Sequence, residues 1–212
     1  MHARFQVALL VAYLALAAAL VFVDPIYPGD QWLHHIPTWM LIVALPISLR
    51  FRLLSDAAWL QIVLHMSLHA IGARWVYSLV PYDEWSRSLF GVALSETFGW
   101  QRNHYDRLVH FSFGLFFTLP TRELVLRFIR PARGYAITIA VLFILGASAF
   151  YELLEWWIAI TLAPDTADRY LGQQGDYFDA QKDMALATVA SLLVAVPLAV
   201  RGAWGSAKSA SP

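Results

Sequence analysis

Phe5-Gln6-Val7-Ala8-Leu9-Leu10-Val11-Ala12-Tyr13-Leu14-Ala15-Leu16-Ala17-Ala18-Ala19-Leu20-Val21-Phe22-Val23 is an apolar stretch without a single charge. As an α-helix, roughly 17–25 such residues cross the hydrocarbon core of a bilayer. The run exceeds the roughly 7–15 apolar residues of a signal-peptide core, so an uncleaved membrane anchor is expected. Working outward, residues 36–49, 57–80, 108–126, 135–161 and 184–200 form further apolar stretches. The second is short and holds Pro37 and Pro46, so a kinked or tilted span is expected there. The reading is an all-α bundle of six spans, residues 1–201 forming one transmembrane domain and 202–212 a frayed cytoplasmic tail.

Composition agrees. The chain has 212 residues, 59% hydrophobic and 14% charged, against roughly 45–50% and 25% in a soluble domain. Mean hydropathy is +0.54. Fifteen basic residues balance fifteen acidic ones, so no nucleic-acid partner is indicated. There is no cysteine, which excludes disulfides, thiolate metal sites and a cysteine nucleophile. Thirteen Phe, nine Trp and nine Tyr supply the aromatics of an interfacial belt.

Six spans put both termini on one side. That side carries Arg4, Arg50, Arg52, Arg122, Arg127, Arg130, Arg133, Arg201 and Lys208. The other carries Arg87, Arg102, Arg107, Arg169 and Lys182. The excess of basic residues in short loops places both termini in the cytoplasm. On the outer side, residues 25–35 form a turn, residues 81–107 a long segment with an interfacial helix around 84–96, and residues 164–182 a second long loop. Loops beyond about 12–15 residues are commonly functional.

Ionisable groups in lipid are costly and mark sites. Asp106 and His110 are four apart, on one helix face at the outer start of span four. A carboxylate beside an imidazole fixes its tautomer and suits a general base or a metal ligand. The alternative is a helix cap at Asp106 with a structural hydrogen bond from His110. Glu152 and Glu155, three apart near the outer end of span five, cannot both ionise cheaply in low dielectric. They share a proton, hold a cation, or pair with Arg or His, Arg74 being the obvious partner. Asp176, Asp179, Gln181 and Asp183 enter span six. Asp176 is placed to cap that helix, while Asp179 and Asp183 stack on one face, an oxygen-rich set that suits a divalent metal ion. His69, Arg74 and Tyr77 fall in the outer half of span three, and His65 deeper, as an ordinary interhelical hydrogen-bonding residue.

Three of these motifs, residues 103–111, 151–156 and 175–184, with His69-Ala70-Ile71-Gly72 ahead of Tyr77 and Pro81, resemble the YjdF-type bacterial inner-membrane family over nearly the whole chain. The resemblance implies a multi-span inner-membrane protein and brings no activity with it. A looser similarity extends to VanZ-like membrane proteins, in which an acid precedes His-Phe on one span, a Glu lies on the next and an Asp enters the last. Asp106, His110-Phe111, Glu152 or Glu155, and Asp183 match those places. That family is linked to glycopeptide-antibiotic resistance. Where the YjdF-type pattern has a His, this chain has Arg74, which cannot ligate a metal but suits an anion such as phosphate.

The expected site therefore has His110, Asp106, Glu152 and Glu155 as catalytic groups. Arg74, His69, Tyr77 and Gln181 bind substrate, and Glu152, Glu155, Asp179 and Asp183 hold a divalent cation. It would bind or process an envelope lipid or lipid-linked phosphate, with membrane lipid as partner. The alternatives are a small ion-coupled transporter and a structural or accessory protein whose polar groups serve only helix packing.

Overall fold

The structure, a computed structural model, describes residues 2–29, 31–131, 133–161 and 172–209. Arg169 and the first part of the loop at 164–182, together with residues 210–212 of the tail, lie outside the described residues. Six long helices carry the chain: α1 (His2–Phe22), α3 (Ile36–Phe51), α4 (Asp56–Arg74), α7 (Tyr105–Phe128), α8 (Arg133–Thr161) and α9 (Asp179–Ser209). Short helices α2 (Gln31–His34), α5 (Tyr82–Phe90) and α6 (Leu94–Phe98) fill the connections. No strand occurs among the described residues.

Among the described residues, four segments are long and apolar enough to cross a membrane by length and composition: Ala3–Phe22, Gln31–Phe51, Gly134–Thr161 and Asp179–Val200. The helices α4 and α7 are excluded by their polar residues, and the reason is position. α7 packs on α4, α8 and α9, and α4 also packs on α1, so both turn polar side chains toward protein rather than lipid. The outer surfaces of α1, α8 and α9 expose Val11, Leu142, Phe143, Leu153 and Val196, as expected of a lipid-facing belt.

Close approach of α7 and α9 depends on Gly114. A Cβ there would meet the Ala187 carbonyl oxygen at 1.9 Å. One turn on, Thr118 Oγ1 donates to Ser191 Oγ at 2.7 Å. Small residues and a hydroxyl pair are the usual means by which helices touch without a hydrophobic drive. At the terminal end of the bundle, Ser55 caps α4, its hydroxyl accepting from Ala58 N–H at 3.2 Å. Glu123 in turn accepts from Ser55 N–H (2.8 Å) and Oγ (2.6 Å).

Three boundaries differ from the sequence reading. The span expected at 57–80 stops at Arg74, because Val76 (φ 45) and Tyr77 (φ 54) adopt the left-handed conformation and reverse the chain. The single interfacial helix expected at 84–96 is two, α5 and α6, broken at Gly91, whose φ of 79 ends α5. The expected frayed tail is helical as far as Ser209.

Candidate functional site

The reversal after α4 builds the first part of the site. Tyr77 N–H donates to Gly72 C=O at 2.8 Å, folding the ring back over Gly72, where any Cβ would lie 2.6 Å from it. The Tyr77 hydroxyl then meets His69 Nδ1 at 2.6 Å. Val76 is β-branched and buried in a conformation that such residues rarely adopt. Strain of this kind persists only where surrounding contacts hold it.

Asp106 and His110 project from α7, Glu152 and Glu155 from α8, and Asp183 from α9. His110 Nε2 lies 3.7 Å from Asp106 Oδ1 and 3.5 Å from Glu152 Oε1. One ligand atom each from Asp106, His110 and Asp183 fall within 4.8 Å of one another. Glu155 is buried, and Tyr151 from the same helix stacks edge-on to the His110 ring at 5.9 Å. Asp106 does not cap α7. His104 is the N-cap without a side-chain bond, and Asn103 Oδ1 accepts from Tyr105 N–H at 2.9 Å.

A cavity of about 370 Å³ runs beside these groups. Its walls are mainly apolar, with Met40 and Leu41 from α3, Met66 from α4, and Phe113 and Phe117 from α7. Its polar lining comprises His69, Tyr77, Asp106, His110 and Tyr151, together with His65 and Ser148. Since α3 packs on α1, α2 and α4 while α8 packs on α7 and α9, the cavity sits in the gap between α3 and α8. Met40 in its lining is 68% exposed, so the gap reaches the surface of the bundle.

Above the cluster, two loops are joined by charge. Arg102 donates to both oxygens of Asp179 (2.5 and 3.1 Å), to Gln173 C=O (3.0 Å) and to Gly172 C=O (3.2 Å). Arg107 pairs with Asp176 and reaches Asp179 Oδ1 at 3.3 Å. Lys182 Nζ binds both oxygens of Asp176, at 2.8 and 2.6 Å. The Lys182 hydrogen bond, then those from Phe178 N–H and Arg107, hold the Asp176 carboxyl well below the usual range against some desolvation. Partial burial opposes the charge of Arg102, but Asp179 outweighs it and raises the guanidinium above its ordinary value. His104 is pushed down by burial and by the charges of Arg107 and Arg102, so it accepts from Arg107 Nη1 at 3.2 Å.

Asp106, His110, Glu152, Glu155 and Asp183 are thus brought together, with His69 and Tyr77 beside them in the cavity wall. Three expected members are elsewhere. Arg74 donates to the carbonyls of Leu20 (2.9 Å), Val23 (2.8 Å) and Asp24 (2.9 Å), closing the end of α1, and pairs with neither Glu152 nor an open anion site. Asp179 is committed to two guanidinium groups, and Gln181 is exposed. The expected Asp106–His110 dyad shares a helix face, but 3.7 Å is too long for a hydrogen bond. The sequence reading missed His34 and His35, treated as part of an outer turn; both are buried, and the His34 ring packs edge-on to Tyr77 at 5.5 Å. A His-His doublet at the mouth of an apolar helix was the available signal. His65 Nδ1 pairs with Ser112 Oγ at 2.8 Å, bridging α4 and α7.

A family model described as Predicted membrane protein (DUF2238) matches residues 5–203. The chain is 33% identical over 171 residues to the inner membrane protein YjdF of Escherichia coli (strain K12), covering 79% of this chain and 77% of that one. No solved structure matches it. These matches do not bear on the looser VanZ-like resemblance. With a family model spanning nearly every helix described above, the chain belongs to the Predicted membrane protein (DUF2238) family.

Proposed function

We propose that the protein takes an envelope lipid from the bilayer into the gap between α3 and α8 and binds or processes its headgroup at Asp106 and His110. The observation that carries this reading is the lining of the cavity, mainly apolar with His69, Tyr77, Asp106, His110 and Tyr151 set into it. At roughly 30 Å³ per water-sized group, about 370 Å³ holds about twelve such groups, enough for one chain segment and a small head. A phosphate head would meet several carboxylates without a free guanidinium beside them, since Arg74, Arg102 and Arg107 are all engaged. A neutral hydroxyl or amine head fits the protein groups alone, and a phosphate needs a bridging cation. The distribution of basic residues supports an inner-membrane orientation with both termini cytoplasmic and this site facing outward.

The carrier reading gains little, because Asp56 and Glu123 at the opposite end accept hydrogen bonds from Gln6 and Ser55 within the helix packing. The test is lipid retention. Protein purified in mild detergent should carry an enriched lipid by mass spectrometry, and Ala147→Trp, which fills the cavity wall, should cut that lipid about tenfold. Equal lipid on the wild type and on a folded Ala147→Trp variant overturns the reading.

A further inference from the structure

We propose that Asp106, His110 and Asp183, with Glu152 alongside, form a binding site for a divalent transition-metal ion. Two of these residues, Asp106 and His110, also line the cavity. The site deepens the lipid reading by supplying the positive charge that a phosphate head would require, but metal binding does not depend on which lipid enters.

Two independent observations point to a ligand. The first is spacing. His110 Nε2 stands 3.5 Å from Glu152 Oε1 and 3.7 Å from Asp106 Oδ1, beyond hydrogen-bond length. It is nonetheless close to the edge of a tetrahedron with metal–ligand bonds of about 2.1 Å, which is roughly 3.4 Å. The three groups of the core set come from two helices and already lie within 4.8 Å of one another. The second is an orphaned oxygen. Asp183 is 1% exposed, and its Oδ1 has no hydrogen-bond partner among the described residues. Glu152 Oε1 is likewise without a hydrogen bond. Buried carboxylate oxygens are costly to leave bare, and a cation satisfies them.

The neighbours make a protein counter-ion an insufficient answer. Arg102 and Arg107 face outward onto Asp176 and Asp179. Arg74 is turned onto α1. One imidazole with carboxylates suits Zn²⁺, Mn²⁺ or Fe²⁺ rather than Ca²⁺ or Mg²⁺, which favour oxygen-only sets. Asp106 and His110 line both the cluster and the cavity, so a coordination position opposite Asp183 would open toward a bound headgroup.

The test uses the full-length protein in detergent, stripped with chelator and checked for folding by its melt. Zn²⁺ and Mn²⁺ are titrated separately, and bound metal is measured after desalting. One equivalent is expected, together with a raised melting temperature. Co²⁺ in place of Zn²⁺ should give visible ligand-field bands from a mixed nitrogen–oxygen set, a readout that needs no variant. Asp183→Asn and His110→Gln should weaken binding about 100-fold or more, since loss of an outer partner of a ligand alone costs roughly 10–100-fold. Glu96→Gln, at an exposed pair with Arg87, should leave it unchanged. No bound metal and no cobalt spectrum in the folded wild type overturns the proposal, as does wild-type affinity in both ligand variants. Metal uptake with no retained lipid would leave this site standing and refute the lipid reading, and the reverse result would refute this site alone.

Discussion

Adding one methyl group at Gly114 should loosen the bundle at its tightest crossing. A Cβ there lies 1.9 Å from the Ala187 carbonyl oxygen, 2.8 Å from its carbon and 2.9 Å from Ala190 Cβ. Ordinary C···O contact is about 3.4 Å, so α7 and α9 must separate by about 1.5 Å locally. The Thr118–Ser191 hydrogen bond, 2.7 Å in the structure, would open to about 4 Å and be lost. Overpacking costs about 1–3 kcal/mol and a polar contact between membrane helices about 0.6 kcal/mol. The better helix propensity of alanine returns up to about 1 kcal/mol. Net destabilisation of about 2 kcal/mol corresponds to a fall in melting temperature of about 4–8 °C for a chain of this size. Gly146, on the lipid side of α8, is the control, because a Cβ there meets nothing within 4 Å. Gly114→Ala and Gly146→Ala, melted in the same detergent, should differ by more than that shift, because Gly146→Ala gains the same helix propensity of up to about 1 kcal/mol without the overpacking. Equal melting points would show that the crossing is not held by backbone contact, and the packing argument would fail.

Arg74→Ala should lower stability by about 2 kcal/mol, from three carbonyls left without their donor, while retained lipid and metal stay at wild-type levels; loss of lipid from a folded variant would restore Arg74 to the site. Acidification should reduce what the loop clamp contributes to stability. The folded carboxyl of Asp176 lies below its ordinary value of 3.8, so its contribution is complete above that value and is lost as pH falls through and below it. Melting followed from pH 6 to pH 3 should therefore fall more steeply for the wild type than for Asp176→Asn below about pH 4; parallel curves would remove Asp176 from the clamp.

Much of the bundle was legible because apolar length alone specifies a spanning helix, and the four-residue interval of Asp106 and His110 already put them on one face. Depth did the rest for Glu152 and Asp183, which the sequence puts toward the same end of their spans. What was hidden is long-range. Asp179 and Asp183 share a face and differ only in that Arg102 and Arg107, some seventy residues earlier, reach the first and not the second. Arg74 bonds to backbone oxygens, which leave no trace in side-chain pattern. The turn that brings Tyr77 onto His69 contradicts local preference, since Val76 favours extended backbone. Only tertiary contacts force it into the left-handed region.

The pairing of α7 with α9 has an asymmetric outcome. Guanidinium–carboxylate bonds at their N-terminal starts and the backbone touch at Gly114 lie on either side of Asp106, His110 and Asp183. These three side chains are therefore preorganised, anchored above and below on the same two rods. Glu152 comes from α8, which among the described residues has neither fastening to them and turns Leu153, Trp156 and Trp157 to the membrane. On the lipid and metal proposals, adjustment to guests of different size would fall to that helix, making Glu152 the adaptable jaw of an otherwise rigid vice.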